Sequence, residues 1–275
     1  MKKLFFGIEM KWWKVIAFAA AAGVVTGILM QLHALDGTSL QNIGISYEAW
    51  ILFAVIICMN CQKPTEAALK TFVFFLISQP LVYLTMWPEY HRFPWEYYRF
   101  WGIMTVLTLP GGFIAWYVKK KTMLSALILS VACVFLAFLG VDYLRRTLYN
   151  FPHYLLTVLF CFAVAGLFIA VLLPGKRERI VASAITVAAT AVFAATALFG
   201  SPRSVAGYPM DNAKDYTFTV EDSKIVSVEP TEDGIDLTAN GYGSTVITAT
   251  AEDGTVALYR VTVERNGLIT LEELS

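Results

Sequence analysis

Residues 180–200, IVASAITVAATAVFAATALFG, run without a single charge, and residues 201–220, SPRSVAGYPMDNAKDYTFTV, follow with Pro, Gly, Asp and Lys before an alternating, strand-like close. The join at Ser201 separates two chemistries. Upstream lie seven apolar stretches, roughly Trp12–Leu32, Ile43–Met59, Phe72–Trp87, Phe100–Val118, Met123–Val141, Tyr154–Leu173 and Ile180–Gly200. A helix of about 20 apolar residues crosses the hydrocarbon core, and in lipid the backbone must satisfy its own hydrogen bonds. The pattern therefore predicts an all-α domain of seven transmembrane helices over residues 1–200 and a separate small domain over 201–275.

Composition agrees. The chain is 57% hydrophobic and only 15% charged, outside the range of ordinary soluble domains. Its net charge of zero conceals opposed halves: 16 Lys and Arg against 8 Asp and Glu in residues 1–200, then 5 against 13 in residues 201–275. Nothing in this distribution points to nucleic acid.

The connections predict an orientation. Lys2, Lys3, Lys11, Lys14, Lys63, Lys70, Lys119, Lys120, Lys121, Lys176, Arg177 and Arg179 fall on one side of the expected membrane, and Arg92, Arg99, Arg145 and Arg146 on the other. The positive-inside rule then places the N-terminus in the cytoplasm and the C-terminal domain outside. The first span, long and without a convincing small-residue cleavage site, reads as an uncleaved signal-anchor.

Within the spans, Ala19, Gly23 and Gly27 form a small-residue stripe that suits close helix approach, within the bundle or against another subunit. No charge is expected near a midplane, which counts against ion-driven readings. Gln79-Pro80 and Pro110-Gly111-Gly112 free backbone groups in neighbouring spans, so they mark either structural kinks or a cavity between broken helices 3 and 4, as in transporters.

The expected outer face gathers Trp87, Glu89, His91, Arg92, Trp95, Arg99, Asp142, Arg145 and Arg146. These residues suit a ligand-binding cluster for a polar molecule or headgroup, or an interfacial aromatic belt. The histidines, His33, His91 and His153, include no pair at i, i+4, so neither a metal nor another cofactor is expected. Cys58-x-x-Cys61 has no βαβ context to make it a redox motif. No phosphate loop, zinc-helix motif or nucleophile elbow is present, so no catalytic residue is assigned and the reading leans away from an enzyme.

Beyond Ser201, the runs Tyr216–Val220, Lys224–Val228, Ile235–Ala239, Thr245–Ala251 and Val256–Val263 alternate with period two, and Glu232-Asp233-Gly234 and Glu252-Asp253-Gly254 suit hairpin turns. The stretch Asp222–Val228, the run Gly241-Tyr242-Gly243-Ser244-Thr245-Val246-Ile247-Thr248-Ala249-Thr250 and the closing Tyr259-Arg260-Val261-Thr262-Val263 resemble a bacterial immunoglobulin-like domain of group 2 over about residues 205–265, with a compressed front half. The resemblance implies a small all-β sandwich used on bacterial surfaces as a spacer, adhesion module or wall-proximal binder, and no catalytic residues.

The expectation is then a multi-pass protein of the bacterial cytoplasmic membrane that binds a cell-envelope component or ligand at the outer face without covalent chemistry. The alternatives are a small-solute permease using the helix 3 and 4 breaks, and an enzyme acting on lipid-linked substrates with Glu89 or Asp142 as base. Expected partners are membrane lipids, and a cell-wall polymer or another membrane subunit.

Overall fold

The computed structural model describes residues 2–35, 38–90, 95–120, 122–149, 152–199, 204–210, 212–231, 234–251, 253–264 and 267–274, with backbone alone for 88–90, 96, 148–149 and 198–199. The chain divides into two compact units, Met1–Ala194 and Ala195–Ser275.

The helices are α1 (Lys2–Phe6), α2 (Trp12–Gln31), α3 (Ser39–Ile45), α4 (Tyr47–Asn60), α5 (Pro64–Tyr90), α6 (Trp95–Ala115), α7 (Met123–Tyr149), α8 (Leu155–Leu172) and α9 (Lys176–Phe199). Among the described residues six of them are long and apolar enough to cross a membrane, and seven spans result if α3 and α4, bent by 46°, count as one. This is consistent with a multi-pass membrane protein. Large apolar side chains such as Ile103, Val131 and Val187 are more than 60% exposed on the helix surfaces, a display that lipid tolerates and water does not.

Most helix ends fall close to the apolar runs, but α5 begins eight residues before the expected span. Pro64 occupies its first position, where a missing N–H costs nothing. Glu66 Oε2 then accepts the amides of Gln62 (2.6 Å) and Lys63 (3.4 Å), covering donors left free at the helix start.

The interior of this unit is aromatic. Phe18, Phe53, Phe74 and Trp50 meet at centroid distances of 5.0–6.2 Å, and Phe5 of α1 sets its ring edge-on to Phe168 of α8 at 6.1 Å. The small-residue stripe of α2 faces α5. A Cβ on Gly23 would stand 2.5 Å from the Ser78 carbonyl, and one on Gly27 2.6 Å from Thr85 Cβ.

The second unit holds two antiparallel sheets. One has strand order β1-β4-β3 (Val205–Pro209, Gly234–Ala239, Val226–Pro230), and the other β2-β5-β6-β7 (Tyr216–Val220, Gly243–Ala251, Val256–Val263, Ile269–Leu274). One apolar cluster draws on both: Val226, Ile235, Leu237 and Ala239 from the first, Ile247, Val261, Val263 and Ile269 from the second. The Tyr208 hydroxyl on β1 also donates to the Ile269 carbonyl on β7. Strands β1 and β7 lie beyond the five runs read from sequence, and β3 starts two residues later than expected. Of the two expected turns, Glu232, Asp233 and Glu252 lie outside the described residues; Gly254 takes φ +84°, the left-handed conformation a glycine adopts freely.

Candidate functional site

The expected outer cluster falls only partly within the described residues. His91 and Arg92 lie outside them, as does the side chain of Glu89. Trp87 is exposed near the end of α5, and Trp95 and Arg99 are exposed at the start of α6. Trp95 meets Tyr98 edge-on at 6.0 Å, and Tyr98 meets Tyr83 at 5.8 Å, contacts typical of an interfacial aromatic band. Asp142, Arg145 and Arg146 are brought together, but on successive turns of one helix. Asp142 accepts from Arg145 Nη2 at 3.3 Å and from Arg146 Nε at 2.9 Å, and the Arg146 guanidinium stands 5.9 Å from the Tyr143 ring. Both arginines thus have an acid partner already.

The expected helix breaks are not breaks. Helix α5 runs on through Pro80 and α6 contains Pro110. Gln79 and Ser78 are buried, and Gln79 Nε2 and Ser78 Oγ have no partner. The discontinuity lies instead in the second span, where Ser46 closes α3 and opens α4 with φ −93° and ψ 179°. A single extended residue between two helical segments produces the 46° bend.

Two of the singled-out residues do line a cavity. A cleft of about 280 Å³ opens between α4, α5 and α6, and Gly111 and Gly112 belong to its wall while Gln79 and Pro80 do not. Its other walls include Tyr47, Trp50, Ile51 and Cys58 of α4, Phe75 of α5, and Trp101 and Leu107 of α6. From Tyr47 to Cys58 the cleft follows α4 for about 16 Å at the usual helical rise. The glycines do different work. A Cβ on Gly112 would sit 3.1 Å from the Ala67 carbonyl and from Ala68 Cα, so Gly112 sets the α5–α6 approach; a Cβ on Gly111 would meet nothing within 4 Å. Several polar groups in the wall are bonded to one another or to the backbone. Thr108 Oγ1 donates to the Thr105 carbonyl (2.6 Å), Cys58 Sγ lies 3.3 Å from Thr71 Oγ1, and the Gly112 carbonyl accepts from Cys58 Sγ at 3.8 Å. The cleft therefore offers mostly apolar surface.

At the end of the bundle where α6 finishes, the Cys61 carbonyl accepts from Lys119 Nζ (2.6 Å) and Trp116 Nε1 (3.1 Å). Burial pushes the Cys61 thiol up to about 12, with the nearby Glu66 charge adding to it. Both cysteines of the C-x-x-C are free and buried. Lys70 is also buried; its ammonium donates to the Met10 carbonyl and to Glu66 and stands 5.4 Å from the Trp12 ring. Among the described residues no group of three His, Cys, Asp or Glu is placed to hold a metal.

Sequence reasoning passed over Glu48. It lies inside the second apolar run and is fully buried at the first turn of α4. The signal was plain: an acid directly before a stretch that is apolar from Ala49 to Met59. Judging charges by depth from the midplane hid it.

No family model matches the chain, and no curated protein or solved structure does either. The likeness of residues 205–265 to group 2 bacterial immunoglobulin-like domains thus rests on the quoted residues alone.

Proposed function

We propose that this chain is a bacterial cytoplasmic-membrane protein of seven spans, α3 and α4 forming one of them, that retains the apolar chain of an envelope lipid in the α4–α5–α6 cleft and performs no covalent chemistry on it. The cleft itself carries the reading. It is long, mostly apolar and flanked by helices whose exposed faces suit lipid, and Thr108, Thr71 and Cys58 in its wall are already bonded. A solute needing hydrogen bonds would find little there, whereas an acyl or polyprenyl chain loses nothing by entering. The lysine-rich connections support a cytoplasmic N-terminus, which sets the C-terminal unit outside. There the cluster shared by its two sheets supports an immunoglobulin-like sandwich acting as a spacer or wall-proximal binder.

The test uses Gly111, which faces open space. Purified protein is reconstituted with a phospholipid carrying a photoreactive group on its acyl chain, and labelled peptides are mapped. Labelling of the α4 and α6 peptides is expected in the unaltered chain and in Gly111→Ala, and a loss of at least several-fold in Gly111→Phe, whose ring fills the cleft. Equal labelling in Gly111→Phe overturns the reading.

A further inference from the structure

Glu48 has surroundings that no part of the lipid cleft explains. It is 0% exposed, and its Oε2 has no hydrogen-bond partner. Among the described residues no Lys, Arg or His forms an ion pair with it. The ionisable side chains that reach it are Tyr143 of α7 and Cys161 of α8, both neutral acids at ordinary pH. Its Oε1 lies 3.2 Å from Ser46 Oγ, at the bend between α3 and α4.

The contacts around Ser46 favour the protonated form of the acid. The Ser46 hydroxyl has one hydrogen and two lone pairs. It is bonded to the Asn42 carbonyl, which can only accept, so its hydrogen goes there. The Tyr143 hydroxyl donates into one lone pair at 3.0 Å. The remaining contact, with Glu48, is a hydrogen bond only if the carboxyl bears the proton and donates into the second lone pair. An ionised Glu48 would leave two acceptors competing for a single hydrogen, with Oε2 stranded beside them. The first turn of α4 favours a negative charge, and the Glu48 amide lies within reach of its own carboxyl. That help is small beside the cost of an unpaired carboxylate shut away from water.

We propose that Glu48 is a proton-binding site within the membrane part of the chain, a carboxylic acid that holds its proton at neutral pH. Release breaks the acid O–H bond and passes the proton to water, leaving the carboxylate, and no other reactant is needed. The site is the kind of acid that couples proton movement to a change of shape, and it sits where discontinuous helices place such groups. It does not depend on the lipid cleft, whose lining includes Tyr47 and Trp50 but not Glu48.

The experiment is infrared difference spectroscopy of the full chain in lipid, with glutamate labelled by ¹³C to separate it from aspartate. At neutral pH the unaltered protein should show the carbonyl stretch of a protonated glutamic acid, shifted by transfer to D₂O and absent from Glu48→Gln. Ser46→Ala should keep the band but move it, because the acid loses its acceptor. If Glu48→Gln does not accumulate, the labelled unaltered chain still decides, since absence of a protonated glutamic acid at neutral pH overturns the proposal. Loss of the band on adding sodium ions at constant pH also overturns it, by making the site one for a metal cation. Photolabelling of the cleft is unaffected by either result, so the two readings fail separately.

Discussion

Asn60 Oδ1 accepts the Ile8 amide at 2.8 Å, and the same side chain donates through Nδ2 to the carbonyls of Leu4 (2.7 Å) and Ile56 (2.8 Å). One buried amide thereby ties the amino-terminal segment to the end of α4. Phe5, fully buried against Phe168, completes the anchor. Asn60→Ala strands an N–H and a carbonyl, and each such group costs about 1–3 kcal/mol when buried. The expected outcome is a lower unfolding temperature, with faster amide exchange confined at first to residues 4–8; unchanged exchange there refutes the anchor.

The α2–α5 contact depends on two hydrogens in place of side chains. Gly23→Val and Gly27→Val each push a side chain into the α5 backbone or Thr85, and overpacking of this kind costs about 1–3 kcal/mol. Gly111→Ala, which meets open space, serves as the control with little change in stability. Thermal unfolding in detergent ranks the three; a Gly23→Val protein as stable as Gly111→Ala contradicts the close approach.

The four cysteines, all buried and free, should resist alkylation in the folded protein. Cys61 carries the sharpest expectation. Its folded value of about 12 stands far above the ordinary thiol value of about 8.5. A raised value means that the neutral thiol is favoured by folding; the stability linked to it is complete below about 8.5 and is lost as pH rises toward the folded value. Maleimide labelling at mildly alkaline pH should remain near zero until denaturant is added. Rapid labelling of Cys61 in the native protein would contradict its burial.

In the turn after β5, Asp253 Oδ1 accepts the Thr255 amide at 2.8 Å, and this bond together with the Thr255 hydroxyl holds the Asp253 carboxyl below the usual range. A lowered value stabilises the fold above the unfolded value near 3.9, and the contribution disappears as pH falls through the folded value. Asp253→Ala should speed exchange of the Thr255 amide at neutral pH, and the difference from the unaltered chain should shrink under acid. A difference that persists at the lowest pH would assign the effect to chain geometry instead of charge.

The apolar helices were legible because bilayer thickness imposes a length that few soluble elements share, and Trp12–Gln31 and Leu155–Leu172 fall within a residue of the runs read from sequence. The discontinuity was not. Pro80 and Pro110 advertise breaks, yet a continuous helix passes both. Ser46 carries no such mark; it bends the chain because its hydroxyl turns back to Asn42 instead of capping α4, which no spacing rule displays. The missed strands have a similar cause. Ile269–Leu274 reads ITLEEL, two acids in six residues, and becomes a strand through pairing with Val256–Val263 more than through its own pattern. Of the candidate site residues, Gly111 and Gly112 were visible as glycines, but only the surrounding helices show that one fills a contact and the other faces a void.

The two halves of the bent span have different loyalties. Ser39 of α3 donates to the His153 carbonyl and accepts from Thr157 of α8, and the Gly44 carbonyl accepts from Thr26 of α2. Trp50 of α4 instead packs edge-on or tilted against Phe53, Phe74 and Phe75, and Asn60 grips the amino-terminal segment. Mechanically, α3 is held between α8 and α2, while α4 packs on α5 and on the amino-terminal segment. Where the two halves differ in their neighbours, the chain passes between them through the single extended residue Ser46, the hinge pin of the bent span.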